Sequence, residues 1–260
     1  MVRFYKKKEA DAYRNLFFLG LHGPDLFFYY HPLYSNPVTR LGFKKKKKPG
    51  IVFFKHAGKV ICDHCFSPEY ITYIYGFICH FALDRACHGY VNEKIAQSGV
   101  SHVEIEAEFD RMLLEKDGFD PVSKKLTDHI HPSEREAGVI SSFFPKITPK
   151  RVYQSMRSMV FYCDLLCAPG KIKRSFLNAA LKAIGKEEIC GMIINRKANP
   201  KCADSCEKLL VLYEKAIDDA VKLITSYLLS VQKKQPFDSL YHYTFESTLP
   251  QGERKRGGMR

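Results

Sequence analysis

The 260-residue chain has no tryptophan, no apolar run near the ~20 residues that a bilayer-spanning helix needs, and no sustained alternation of polar and apolar positions. Each absence excludes something. The longest apolar stretch, 70–83, already contains His80, so no transmembrane segment is expected. Without alternation there is no half-buried strand to expect. Near the N-terminus, Lys6, Lys7 and Lys8 are followed by Glu9, Asp11 and Arg14, and the apolar run 16–21 is too brief for a secretory signal. Cysteine is sparse and odd in number, nine in all, which argues against a disulfide scaffold and for reduced, mostly buried thiols in a cytoplasmic protein.

Acidic residues are also short: 28 Asp and Glu against 41 Lys and Arg, a formal net charge of +13. The excess is concentrated in the unbroken run Lys44 to Lys48 and in the tail 249–260, which reads as disordered. Like-charged blocks repel themselves and usually lie in solvated loops. The alternative is a surface for phosphate-bearing partners. No specific nucleic-acid motif accompanies the charge, so the partner expectation is peripheral contact of Lys44–Lys48 with anionic surfaces.

What is present is helical periodicity, and the expected class is all-α, a single multi-helix bundle over 1–248. A first helix is predicted from about Phe4 to Leu19, stopping at Gly20. Ser67-Pro68 opens another that runs towards Asp84, with Ser as cap and Pro at the first helical position. Ser101 to Glu104 has the spacing of a capping box, followed by Ile105, Phe109, Met112 and Leu113 to a stop near Gly118. Thr148-Pro149 opens a helix through Cys163, and a shorter one carries Phe176 to Ile184. Asn199-Pro200 precedes the longest, about 201–231. The segment 51–54 reads as helical or irregular, and the polar stretch 117–149 as a long loop.

The densest group of ligand-type side chains lies between 80 and 106. His80 and Asp84 are four apart and so share a helix face; His88 stays on that side if the helix persists. His102 and Glu106 repeat the spacing at the start of the next helix. Imidazole and carboxylate suit zinc, and two such pairs can hold a pair of ions. One His-x3-Asp pair alone is more often a surface pair or a satisfied core histidine. Together, however, His80, Asp84 and Glu106 interrupt apolar faces where unpaired charge is costly, and a shared cation would compensate them. Asp25 follows Gly23-Pro24 in a restricted turn; it either caps the next helix or is presented for chemistry.

The strings 17–30 (FFLGLHGPDLFFYY), 75–84 (YGFICHFALD) with 88–92 (HGYVN), and 102–106 (HVEIE) together resemble the bacterial zinc-dependent phospholipase C family, in its intracellular Gram-positive branch. The resemblance implies an all-α fold related to fungal single-strand nucleases, with zinc ions in a cleft. It implies that Asp25 is a ligand and orients or deprotonates the attacking water. His80 and Asp84 would bind a first zinc, and His88, His102 and Glu106 a second. The implied activity is metal-dependent hydrolysis of a phospholipid or another phosphodiester by a zinc-activated water. The chain departs from the family pattern twice. A histidine expected after Arg40-Leu41-Gly42 falls near Lys46, an ammonium and a poor ligand, with His31 and His56 as spatial substitutes. Residues 1–21 also lack the histidine expected for a third zinc. One or two zinc ions are therefore expected and no third. The alternative is a catalytically impaired member that keeps the fold and part of the metal site as a binding or structural protein.

Two further features compete weakly. Cys62-x-x-Cys65 has the spacing of a structural zinc half-site that Cys202 and Cys206 would have to complete across a long separation. Cys79, Cys87, Cys163, Cys167 and Cys190 read as core thiols, and Asp164 as a buried acid in need of a partner.

Overall fold

The computed structural model describes residues 12–248. The expected start of the first helix near Phe4 and the basic tail 249–260 lie outside them. Among the described residues the α-helices are α1 (Arg14–Leu21), α2 (Pro37–Lys46), α3 (Gly50–Asp63), α4 (Pro68–Ser98), α5 (His102–Lys116), α6 (Glu134–Ser142), α7 (Pro149–Leu166), α8 (Lys171–Ala183) and α9 (Ala203–Lys233), with a 3-10 turn at Gly23–Tyr29 that matters below. No strand occurs among them beyond an isolated bridge, Pro49 to Thr244. The fold is all-α, and the segment 51–54 is the first part of α3.

The described residues form two compact units, one of 12–86, 129–159 and 215–248, the other of 87–128 and 160–214. The first has an aromatic core. Phe53 stacks on Phe77 with centroids 4.2 Å apart, and Phe81 meets Phe245 edge-on at 4.9 Å. Two buried tyrosines have their hydroxyls satisfied: Tyr227 donates to the Phe54 carbonyl at 2.9 Å and Tyr241 to the Leu223 carbonyl at 3.3 Å. In the second unit, Ala168, Leu177 and Ile193 form a small apolar core under Leu165, Leu166 and Leu181. Beside it, buried Glu108 accepts from Asn195 Nδ2 at 2.7 Å and from the Asn199 amide at 3.0 Å.

Several helix limits differ from the sequence expectation for identifiable reasons. Gly20 lies inside α1 rather than ending it, because α1 touches α4 there: a Cβ on Gly20 would stand 2.3 Å from the Tyr73 carbonyl oxygen. Helix α4 continues to Ser98, carrying His88 on the same rod as His80 and Asp84. The stretch 117–149 is not one long loop. It contains α6, capped by Ser133 Oγ accepting from the Glu136 amide, and it buries Ile130, Ala137, Ile140, Phe143 and Phe144.

Two other expectations are corrected. Asp164 is half-buried and its partner is Lys125, at 2.7 Å. The nine cysteines are free, but only Cys87 and Cys202 are buried; Cys62 and Cys65 are exposed and the rest intermediate. Among the described residues no cysteine joins a group of three or more potential metal ligands.

Candidate metal centres

The first candidate centre is built on the meeting of α1 and α4. At Gly20 and Gly76 neither backbone carries a Cβ, so the helices approach to main-chain contact. The chain then turns at Gly23, whose φ of +51° favours glycine, and a Cβ there would strike the His80 ring at 2.1 Å. The 3-10 turn that follows carries Asp25 in its first turn. Its carboxylate is not spent on capping. It faces His80, with Oδ2 and Nε2 4.0 Å apart.

Helix α2 brings a fourth group. Asn36 caps it in a reciprocal capping box with Thr39, and Pro37 occupies the first turn. Gly42 lets α2 lie on the 3-10 turn, since a Cβ there would sit 2.7 Å from the Phe28 ring and 3.1 Å from the Pro24 carbonyl oxygen. One turn later the same face carries Lys46. Its Nζ donates to Asp25 Oδ2 at 2.9 Å and stands 3.0 Å from Asp84 Oδ2. The reading of the lysine run as uniformly solvated is thereby corrected. Lys44, Lys47 and Lys48 are exposed, whereas Lys46 is buried because the packing at Gly42 turns it inward.

His80 Nδ1 lies 3.1 Å from the Leu21 carbonyl oxygen, which can only accept, so Nδ1 carries a hydrogen. Nε2 then faces the carboxylates, 3.1 Å from Asp84 Oδ2 without hydrogen-bond geometry. Desolvation disfavours charge on Lys46, yet Asp84 and Asp25 raise its pKa above the ordinary value. Desolvation raises the Asp25 carboxyl against the pull of His80 and Lys46. Nearby His22 is lowered to about 4 by desolvation and by repulsion from His80 and His129.

The second candidate centre lies in the other unit. Ser101 Oγ accepts from the Glu104 amide and starts α5, so His102 and Glu106 stand one turn apart on one face. His102 Nε2 is 3.0 Å from Glu106 Oε1, and His88 Nε2 is 3.8 Å from the same oxygen. His88 is buried, His102 half-buried and Glu106 exposed. Desolvation opposes the Glu106 charge, but hydrogen bonds from His102 and His88 bring its carboxyl down to about 2.

The structure thus gathers the six sequence-selected donors in two threes: Asp25, His80 and Asp84, and His88, His102 and Glu106, with the ligand atoms of each three within 4.8 Å of one another. His31 and His56 join neither group. The two donor sets differ in fit. His88, His102 and Glu106 offer two imidazoles and an ionised carboxylate, a set suited to zinc. Asp25, His80 and Asp84 have a cation among them already, the ammonium of Lys46. Sequence reasoning placed Lys46 where a histidine was expected but did not see it as the partner of both aspartates. The signal was available in the four-residue step from Gly42 to Lys46.

The described residues thus define an all-α protein with two groups of three imidazole and carboxylate donors that could each hold a metal ion. A family model described as zinc-dependent phospholipase C matches residues 2–155, more than half of the chain, and the chain belongs to that family. No curated protein and no solved structure matches it. No described helix is long and apolar enough to cross a membrane.

Proposed function

We propose that the protein is a metal-dependent phosphodiester hydrolase that holds a zinc ion at His88, His102 and Glu106. The observation that carries this reading is the approach of two imidazole Nε2 atoms, from α4 and α5, to one carboxylate oxygen. Such a zinc supplies a Lewis acid for the phosphoryl oxygens and a bound water acidic enough to attack near neutral pH. Glu106, with its carboxyl at about 2, is ionised throughout the physiological range and has no proton to lose on binding. His88, on the continuous α4, and His102, in the first turn of α5, hold their rings in place before any ion arrives.

We assign Asp25, within its own unit, to holding a water by its remaining oxygen. Lys46 holds its Oδ2, and its Oδ1 is buried without a hydrogen-bond partner, an acceptor still available for a water proton. The substrate class is a phospholipid headgroup or another phosphodiester, following the family. Lys44, Lys45 and Lys48 border a cavity of about 350 Å³ shared with Lys146, Phe53 and Phe144, which supports peripheral contact with an anionic surface. Nine free thiols accord with a reducing, cytoplasmic setting.

One observation favours a second reading. Because Lys46 already engages Asp25, the protein would be a catalytically impaired member that retains the fold and one zinc. Elemental analysis of purified protein, followed by turnover of a chromogenic phosphodiester with and without chelator, separates the two. Chelator-sensitive turnover supports the hydrolase. Zinc bound without turnover of any lipid or nucleotide diester supports the impaired member. His102→Ala is expected to remove zinc, whereas His129→Ala, whose exposed ring meets Phe18 edge-on at 4.7 Å, leaves it bound. Equal loss from both variants would refute the ligand assignment.

A further inference from the structure

We propose that the Lys46 ammonium is the resident cation of the Asp25, His80 and Asp84 group, and that this group therefore excludes divalent metal. The inference is independent of whether the protein hydrolyses a phosphodiester.

Three donor side chains aimed at one point normally require a positive charge between them. Here Nζ of Lys46 lies 2.9 Å from Asp25 Oδ2 and 3.0 Å from Asp84 Oδ2, so both carboxylates meet the same ammonium. The donors do not satisfy one another instead. His80 Nε2 approaches Asp84 Oδ2 without hydrogen-bond geometry, and its Nδ1 is committed to the Leu21 carbonyl. The arrangement is that of ligands around a cation, with a side chain as the cation.

Lys46 is also fixed in place. Its residue is 9% exposed, the Gly42 contact sets the phase of its helix, and its carbonyl accepts from the Phe245 amide at 3.3 Å. The Phe28 ring centroid lies 5.8 Å from Nζ. A divalent ion binding the same two oxygens would stand against an ammonium of like sign. To admit it, Lys46 would have to lose its proton or leave a position where both carboxylates and an aromatic ring hold it. Lysine and histidine differ decisively here: an ammonium offers three donors and no lone pair, so it substitutes for the ion and cannot ligate it.

Zinc stoichiometry of the full-length chain, measured by elemental analysis after dialysis against buffered zinc, tests the proposal. Folding of each variant is checked by circular dichroism. His80→Ala is expected to hold as much zinc as the wild type, and so is Asp84→Asn, a near-isosteric change that serves if His80→Ala fails to fold. Lys46→His is expected to hold one ion more than the wild type, and to lose it again when combined with His80→Ala. A wild-type protein that loses one zinc with His80→Ala or Asp84→Asn would overturn the proposal, as would Lys46→His with unchanged stoichiometry. His102→Ala reports on the other donor group. If the wild type holds no zinc at all, the hydrolase reading fails, and the gain on Lys46→His still decides this one.

Discussion

Gly20 and Gly76 are in main-chain contact: a Cβ placed on Gly20 would lie 3.0 Å from the Gly76 Cα, and one on Gly76 would lie 2.1 Å from the Phe17 carbonyl oxygen. No rotamer change relieves a clash with backbone, so the helices themselves would have to separate. Gly76→Ala is expected to destabilise the protein by about 1–3 kcal/mol, the usual range for overpacking. Gly138→Ala, in α6 with nothing within 4 Å of its Cβ, is expected to stabilise by about 0.5–1 kcal/mol through helix propensity. Urea midpoints measure both, and a neutral Gly76→Ala would contradict the close approach.

Loss of the ammonium leaves two carboxylates facing each other. In chelator, Lys46→Met is expected to lower stability by about 3 kcal/mol, the scale for breaking a largely buried ion pair. Adding Asp25→Asn removes one of the stranded charges, so the double variant is expected to lose less than the single. Chemical denaturation reads the coupling, and simple additivity would mean that the two groups do not interact.

His22 sets an expected pH dependence. Its pKa is lowered from 6.5 to about 4, so between these values the unfolded chain binds a proton that the folded chain refuses. Its contribution is complete above about pH 6.5 and is lost as the pH falls towards 4. The denaturation midpoint of the metal-free protein is expected to drop across that window, and His22→Gln to flatten the drop. An unchanged slope in His22→Gln would assign the effect to other groups.

Glu108 anchors the second unit. It accepts from Asn195 and from the Asn199 amide, and Arg111 Nε stands 3.5 Å from it. Glu108→Ala strands these donors and is expected to cost about 1–3 kcal/mol. Glu115→Ala, which removes an exposed partner of the same arginine, is expected to cost under about 1 kcal/mol. Thermal melts distinguish them.

Much of the donor geometry was legible because it rests on helix periodicity. The four-residue steps from His80 to Asp84 and from His102 to Glu106 put each pair on one face whatever the tertiary structure. The inward turn of Lys46 was hidden in a run of five identical residues. Which lysine faces inward depends on where α2 touches the turn carrying Asp25, and the small residue at Gly42 marks that contact. Helix α6 was missed for a related reason. The polar composition of 117–149 outweighed a short apolar stripe, although Ser133 and Glu136 have the spacing of a cap. The stop assigned at Gly20 treated glycine as a breaker, whereas here it makes room for a neighbouring backbone.

A positive charge that belongs to the polypeptide has no dissociation constant. Dilution does not release the Lys46 ammonium, a chelator does not extract it, and a competing metal does not displace it by mass action. The turn around Asp25 would then keep its form when zinc is scarce, and would give up in exchange any response to how much zinc the surroundings hold.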